Sequence, residues 1–246
     1  MSSKLFAVVA GAGPGTGRAV AIRFSKAYPV VLLTRSPESY QDTVAEINKA
    51  GGKAIGISAD ASDVKSIDAA FETIKKELPG LKLAAAVYNV GGGYVRKPFL
   101  EQTVDNFDAA LNNNARGLFN FAQKTIPLLL EAVLESEHPP TLLITGATAS
   151  VRGSLYFSTM GASMFARRAL GQSLAREFGP QGVHVAHAII DGVIDIKRTS
   201  GYSPNNGAED GKLKADSIAE TYWNLHTQHR SAFTQEVDLR PYVEKF

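Results

Sequence analysis

Glycines cluster near the start of the chain, in the stretch Gly-Ala-Gly-Pro-Gly-Thr-Gly that ends at Gly17. Glycine lets the backbone turn tightly and approach a ligand closely. The cluster follows an apolar segment at residues 5–10 and precedes a helical pattern in which Val20 and Phe24 are four residues apart. A helix N-terminus offers unpaired N–H groups and a partial positive charge, which attract phosphate. Strand, glycine turn and helix together predict a nucleotide site, against the alternative of a tight turn without a ligand. The predicted phosphate-binding residues are Gly11, Gly13, Gly15, Thr16 and Gly17.

A second apolar segment ends at Thr34 and is followed by Arg35 and Ser36. In dinucleotide-binding folds the second strand ends beside the adenosine ribose, where a carboxylate binds the 2′-hydroxyl. This chain has no carboxylate there, and the planar guanidinium of Arg35 suits a 2′-phosphate, to which Ser36 can donate as well. The residues therefore favour NADP(H) over NAD(H), the alternative being a solvated surface arginine.

Apolar strand-like segments alternate with helical patterns along the whole chain. The predicted strands cover residues 5–10, 29–34, 53–58, 81–89, 141–145, 183–190 and 232–239. After the first helix, the predicted helices cover 40–50, 60–76, 104–134, 158–178 and 217–226, with a kink at Pro127. This alternation predicts an α/β fold: one Rossmann-type, doubly wound parallel sheet of about seven strands, with helices on both faces. We expect a single domain over residues 1–246.

Composition narrows the range of functions. The chain has 246 residues, 44% of them hydrophobic and 20% charged, and a formal net charge of +2, so neither disorder nor a nucleic-acid or membrane partner is expected. It has no cysteine, and its five histidines have no metal-ligand spacing, so we predict no metal site. The N-terminus lacks a signal-peptide pattern and the apolar runs are short, which predicts a soluble cytoplasmic protein acting on a small molecule.

These motifs together resemble the short-chain dehydrogenase/reductase family over essentially the full chain. The family's Gly-x-x-x-Gly-x-Gly turn is present, Asp60 follows the third strand, and Asn114 lies in a segment similar to that of the family's catalytic asparagine. Asn89 and Gly91 match the family's Asn-Asn-Ala-Gly turn. The resemblance implies that a nicotinamide cofactor contacts Asp60, Ala61, Asn89, Val90, Gly91, Gly192 and Val193.

The resemblance fails at the residues that carry the family's chemistry. Its serine, tyrosine and lysine fall on Ala147, Met160 and Met164, so that Asn114 alone remains. Carbonyl reduction in the family uses a tyrosine phenol as the proton donor, and a thioether has no proton to give. The two methionines, one helical turn apart, predict a more apolar pocket. The predicted substrate pocket consists of Tyr94, Ala147, Thr148, Met160 and Met164.

Two other residues are candidates to replace the missing groups. Tyr156, one turn before Met160, is a phenol that would reach the pocket if the helix began early, the alternative being a packed loop aromatic. Asp191 stands where the family has the proline of a Pro-Gly turn, and its carboxylate would lie near the nicotinamide unless it is only a turn residue. With Asn114, these are the candidate catalytic residues.

Three hypotheses follow for the function. The first is an NADPH-dependent oxidoreductase whose substrate, an imine, an iminium ion or an activated carbonyl, needs little acid catalysis, with Asp191 stabilising a cation. The second is a non-redox protein, either a nucleotide-binding pseudoenzyme or a cyclase or isomerase on the same scaffold. The third is a carbonyl reductase that uses Tyr156.

The resemblance also implies a homodimer or homotetramer. Apolar residues on the helices offer a surface for it, unless they belong to the core. These residues are Leu118, Phe121, Ala122, Leu170 and Leu174. The polar stretch at residues 197–212 is the predicted lid over the pocket.

Overall fold

A computed structural model describes residues 4–92 and 94–245. In these ranges seven strands form one sheet in the order β3-β2-β1-β4-β5-β6-β7, and every neighbouring pair is parallel. The strands are β1 (Leu5–Ala10), β2 (Val30–Thr34), β3 (Ala54–Ser58), β4 (Lys82–Tyr88), β5 (Thr141–Thr145), β6 (His184–Ile190) and β7 (Glu236–Leu239). The order reverses at β1, so the loops after β1 and β4 separate and leave a crevice at the carboxyl edge of the sheet.

Helices cover both faces of this sheet. They are α1 (Thr16–Ser25), α2 (Gln41–Lys49), α3 (Val64–Glu77), α4 (Val104–Leu111), α5 (Gly117–Ala132), α6 (Ser158–Phe178) and α7 (Ala215–His226). One hydrophobic cluster joins the sheet to α1, α2 and α7, and a second joins its other face to α3, α5 and α6. Because both faces are covered, the strands are nearly continuous apolar runs, and the predicted doubly wound α/β fold is confirmed.

One predicted helix differs in detail. The stretch predicted as a long helix kinked at Pro127 is instead α4, a π-helical turn at Asn112–Arg116, and α5. The α-helix continues through Pro127, and the irregular winding lies at the π turn. A π turn shifts its main-chain carbonyl groups out of the α-helical pattern, so these carbonyls can accept bonds from other elements.

The apolar residues predicted as an oligomer surface belong mostly to the core. Leu118, Phe121 and Ala122 are buried against the sheet, and the half-buried Leu170 and Leu174 pack against the same cluster. Their helical spacing marks a face of α5 or α6, and that face covers the sheet. Other apolar side chains on α4, α5 and α6 are exposed, among them Phe107, Phe119 and Phe165.

Among the described residues, no helix combines the length and the apolar character that a membrane crossing requires.

Candidate active site

A cleft of about 500 Å³ opens along the carboxyl edge of the sheet. It runs from the glycine turn after β1, past the ends of β2 and β4, to the loop after β5 and the first half of α6. We call the part beside the glycine turn and Arg35 the phosphate end. The part beside Met160 and Met164 is the chemistry end.

At the phosphate end, the glycine turn is folded so tightly that side chains do not fit. Gly11 has a φ of 79°, and a Cβ there would lie 2.5 Å from the main-chain carbonyl group of Asn89. A Cβ on Gly17 would lie 2.8 Å from the Ala12 Cα and would overlap the Gly11 carbonyl oxygen. The turn therefore requires glycine at both positions, and its backbone forms one wall of the cleft.

The helix that follows this turn begins without a cap. No side chain caps α1 at Gly15, and no acidic residue lies in its first turn. The hydroxyl of Thr16 is buried in the cleft wall and has no hydrogen-bond partner among the described residues. An uncapped helix N-terminus and an unpaired buried donor are complementary to an anion, so these residues fit the diphosphate of a dinucleotide.

The loop after β2 closes the phosphate end. Thr34 donates a hydrogen bond to the Ser36 carbonyl (2.8 Å), which fixes the loop, and the exposed Arg35 lines the cleft without an ion-pair partner among the described residues. Glu38 follows in the same loop, and hydrogen bonds from its own backbone amide and from the Ser36 hydroxyl lower the pKa of its carboxyl group. Arg35 is therefore the charged group that faces the cleft at this strand end.

Two polar residues form the middle of the cleft. The Asp60 carboxylate accepts bonds from the backbone N–H and the hydroxyl of Ser62 (2.8 and 2.7 Å), which orients it at the wall. Asn89 donates to the Gly11 carbonyl (2.9 Å) and so ties the loop after β4 to the glycine turn. Asn89 therefore connects the ends of β4 and β1, while the bonds of the Asp60 carboxylate stay within the loop after β3.

Apolar side chains form much of the lining at the chemistry end. Met160 and Met164 line it from α6, and Ala147 lines it from the loop after β5. Asn114 lines it from the π turn and donates to the Ser163 hydroxyl (3.0 Å). Among the described lining residues the one phenol is Tyr94, whose ring lies 6.3 Å from that of Phe157.

Arg167 places a buried positive charge at the same end. Its side chain is 2% exposed and lines the cleft, and no carboxylate contacts it among the described residues. The guanidinium donates instead to carbonyl oxygens of Asn114 (3.0 Å), Thr145 (2.8 Å) and Val90 (2.6 Å), and to Asn114 Oδ1 (2.8 Å). Burial lowers the pKa of Arg167, but every partner is an acceptor, so the group remains a cation.

The π turn explains how Arg167 is held. The carbonyl groups of Asn113 and Asn114 are accessible there, and Tyr88 donates to the first (2.6 Å) while Arg167 donates to the second. The Tyr88 hydroxyl occupies the space that a side chain at Gly117 would need. Arg167 also stacks over the Tyr88 ring, 5.0 Å from its centre. One side chain thus joins the ends of β4 and β5 to the turn between α4 and α5.

Most of the predicted cofactor residues line this one cleft, but two do not. Those that line it run from Gly11 to Gly17, from Thr34 to Ser36, from Asp60 to Ala61 and from Asn89 to Gly91. Gly192 lies instead against Pro241, whose Cδ would be 2.7 Å from a Cβ placed on Gly192. The Val193 carbonyl accepts a hydrogen bond from the Leu213 backbone N–H (2.8 Å). The segment after β6 therefore packs against the C-terminal part of the chain at these two residues.

Three predicted chemistry residues also lie outside the cleft lining. Tyr156 has a φ of 70° and is 40% exposed, with the Arg96 guanidinium 6.0 Å from the centre of its ring. Asp191 accepts a hydrogen bond from Thr148 and forms an ion pair with Arg240 (3.0 Å). These contacts use the carboxylate of Asp191 and the hydroxyl of Thr148 to hold the two loops together.

The lining residues that sequence reasoning missed include Arg167, Ile196 and Arg198. The signal for Arg167 was its position, seven residues after Met160 and three after Met164 on one helix, which puts all three on one face. Arg198 lies in the predicted lid, and Ile196 directly precedes the lid. The Ile196 side chain would lie 3.1 Å from a Cβ placed on Gly15. This contact folds the segment after β6 over the glycine turn.

The parallel sheet, the reversal of strand order at β1 and the glycine turn in the crevice define a nucleotide-binding α/β protein of the Rossmann type. No group of residues suited to a metal ion occurs in the ranges 4–92 and 94–245.

Comparison with known proteins gives the family. The sequence model of the family described as short chain dehydrogenase matches residues 5–205. The solved structure of a short-chain dehydrogenase from Rhodopseudomonas palustris is 30% identical in sequence and has a TM-score of 0.80. The match covers 97% of this chain and 99% of that one. The chain therefore belongs to the short-chain dehydrogenase/reductase family.

Two further matches extend over almost the whole chain. An uncharacterized oxidoreductase of Staphylococcus aureus strain USA300 is 27% identical over 237 residues, which are 96% of each protein. A metagenomic short-chain oxidoreductase in complex with NADP has a TM-score of 0.80 at 23% identity, covering 98% of this chain and 99% of its own, and supports the fold.

Proposed function

We propose that this protein is an NADPH-dependent reductase of small, activated carbonyl compounds. The observation that carries the proposal is the contrast within one cleft. The glycine turn, the uncapped α1 and Arg35 are complementary to a phosphorylated dinucleotide. Methionines stand where the family's proton-donating pair belongs, so a substrate that needs strong acid catalysis is a poor fit.

The choice of NADPH rests on Arg35. Its guanidinium is the cation at the end of β2, and no carboxylate lines the cleft beside it to repel a 2′-phosphate. The metagenomic relative whose structure contains NADP has the same fold, which is consistent with this choice. The bound cofactor would supply a hydride at the chemistry end.

Charge favours a carbonyl substrate over an iminium ion. Arg167 is a fixed cation at the chemistry end, and Asp191, the carboxylate predicted to stabilise a cation, is paired with Arg240 away from the lining. A cationic substrate would therefore meet repulsion without a counter-charge. A carbonyl group that accepts a hydride develops negative charge on its oxygen, which Arg167 stabilises through space.

The remaining steps fall to the residues of the chain and to solvent. Met160 and Met164 contact the apolar part of the substrate, and Arg167 keeps Asn114 and the strand ends fixed around it. The reduction adds one hydride to the carbonyl carbon and one proton to the oxygen. Water delivers the proton, because the Asn114 amide is bound to Ser163. Water is a weak acid, and an electron-poor carbonyl accepts a hydride with less help from a proton donor than a simple ketone needs.

The test is NADPH consumption with matched substrates. We expect reduction of methyl benzoylformate, an activated ketone, and a rate at least about a hundredfold lower for acetophenone, which lacks the activating ester. A Tyr94→Phe variant run in parallel should reduce methyl benzoylformate at the wild-type rate. Faster reduction of an N-methyl dihydroisoquinolinium salt than of either ketone would overturn the carbonyl assignment.

A second candidate function is nucleotide binding without turnover. Three of the four polar groups of the family's site are replaced, which favours it. NADPH binding with no oxidation by any substrate would support this candidate, and conversion of a substrate in cofactor-free buffer would instead indicate a cyclase or isomerase.

We also propose a homo-oligomer, through exposed apolar side chains on α4, α5 and α6. Phe107, Phe119 and Phe165 are 42%, 51% and 43% exposed; α4 packs against α6, and all three helices contact the π turn. Exposed aromatic groups on neighbouring helices are typical of surfaces that a partner covers.

A further inference from the structure

Basic side chains lie on the loops that border the cleft. These loops are the ones after β4, β5 and β6. Five of their exposed cationic residues form what we call the basic rim: Arg96, Lys97, Arg152, Lys197 and Arg198. Within the described part of the chain, none of the five forms an ion pair.

The acidic residues of the same loops offset only part of this charge. Residues 146–157 contain no acidic residue, the loop after β4 contains Glu101, and the loop after β6 contains Asp191, Asp195, Glu209 and Asp210. Asp191, Asp195 and Asp210 face Arg240 (3.0 Å), Lys212 (3.6 Å) and Lys214 (2.6 Å), and none of these basic partners belongs to the rim. The rim therefore keeps a net positive charge.

The rim is adjacent to groups that line the cleft. Arg198 lines it directly, from the turn that follows Ile196. Arg96 lies 5.8 Å from the centre of the Phe157 ring, which in turn packs against the lining residue Tyr94. Lys97 donates its backbone N–H to the Tyr156 carbonyl (3.2 Å), which joins the loops after β4 and β5 at this border.

The floor of the chemistry end has the same sign. Arg167 contributes a buried cation without a carboxylate partner among the described residues, and Asp60, the acidic residue of the cleft lining, lies after β3. Floor and mouth are positive while the wall between them is apolar, formed by Met160 and Met164. A low-dielectric wall between cations focuses the field on a bound anion.

We propose that the substrate is an organic anion: an activated carbonyl compound with an apolar body and a carboxylate, which the basic rim binds through Arg198. This inference rests on the proposed reductase function and specifies its substrate class. The apolar body fits the methionine wall, and a carboxylate toward the mouth forms charge-assisted hydrogen bonds with a guanidinium. The reaction keeps its balance of one hydride from NADPH and one proton from water.

Binding of a matched acid and ester tests the inference apart from turnover. Mandelate and methyl mandelate share one body, differ in charge and cannot be reduced by NADPH at their alcohol, so calorimetry on the NADPH-saturated protein reports binding alone. We expect mandelate to bind at least about tenfold more tightly, because several exposed cations each contribute a few-fold. Added salt should reduce this preference, since it screens exposed charges.

Variants then locate the anion site. Arg198→Gln should reduce the preference for mandelate about fivefold, and adding Arg152→Gln should remove most of what remains. Arg176→Gln, an equally exposed arginine near the end of α6, removes the same charge far from the rim and should leave the preference unchanged. The corresponding KM ratio of benzoylformate to methyl benzoylformate should follow the same order.

Two results would overturn the inference. One is equal binding of mandelate and its ester by the wild-type protein. The other is an Arg198→Gln variant that binds NADPH more weakly while keeping the full preference, because Arg198 would then serve the cofactor phosphates. If neither ketone is reduced but mandelate is preferred, the reductase proposal fails while the anion site stands.

Discussion

The two ends of the cleft are built by different means. At the phosphate end the lining groups come mainly from the backbone: a glycine turn too tight for side chains and a helix that begins without a cap. At the chemistry end they come from side chains on α6 and on the loops after β4, β5 and β6. Backbone geometry depends on glycine at a few positions, whereas side-chain chemistry changes with every substitution. The phosphate end therefore depends on a few glycines, while the chemistry end depends on the identity of each lining side chain.

Arg167 limits which side chains fit beside it at the chemistry end. The resemblance places the family's lysine position on Met164, three residues from Arg167 on the same face of α6. Two buried cations that close would repel each other in an apolar surrounding. The buried charge of Arg167 is bound to main-chain carbonyl groups, so this side chain positions the strand ends around the cleft.

The largest effect we predict follows from this role. Arg167→Met should lower the free energy of unfolding by about 3–5 kcal/mol, because it removes the donor from buried carbonyl groups of three elements. The measurement is urea unfolding. The neighbouring Arg168→Met is the matched control, since Arg168 pairs with the part-exposed Glu236 (2.7 Å), and its loss should cost about 1 kcal/mol. Equal losses for the two variants would refute the positioning role.

At the phosphate end the corresponding change is Gly17→Ala. Its Cβ would overlap the Gly11 carbonyl and crowd the Ala12 Cα at 2.8 Å, so the turn must open. We expect a loss of about 2 kcal/mol in stability and a rise of at least about tenfold in the Kd for NADPH, measured by fluorescence titration. Gly179→Ala, where no atom lies within 4 Å of the new Cβ, should leave both unchanged. If it weakens NADPH binding equally, the backbone cradle is not the cause.

The difference between the two ends also explains what the sequence could predict. Local patterns identified β1, the glycine turn and α1, because apolar runs and glycine spacing act within about twenty residues. They placed β5 and α6 at the residues where the structure has them. The position of Arg35 at the end of β2 followed from the same local reasoning.

Partners far apart in sequence could not be predicted. Asp191 was a candidate for the chemistry end because nothing nearby reveals its ion pair with Arg240, 49 residues later. Tyr156 depended on where α6 begins, and the helix begins at Ser158, which leaves the tyrosine in the preceding loop. The π turn frees carbonyl groups for Arg167, and this pairing requires α6 to pack beside the turn. Such arrangements depend on packing rather than on spacing.

The smallest effect concerns cofactor choice, where one exposed side chain separates two otherwise similar ligands. Arg35→Gln should weaken NADPH binding about tenfold and leave NADH binding within about twofold, because only NADPH carries the phosphate that a guanidinium binds through paired hydrogen bonds. The same Arg176→Gln variant controls for the change in net charge. Parallel titrations with both cofactors give, for each variant, the ratio of the Kd for NADH to the Kd for NADPH. An unchanged ratio would mean that Arg35 is a solvated surface residue, and the preference for NADPH would then lose its support. A ratio that falls only in Arg35→Gln would show that the phosphate end, unlike the chemistry end, distinguishes its ligands with a side chain added to a backbone cradle.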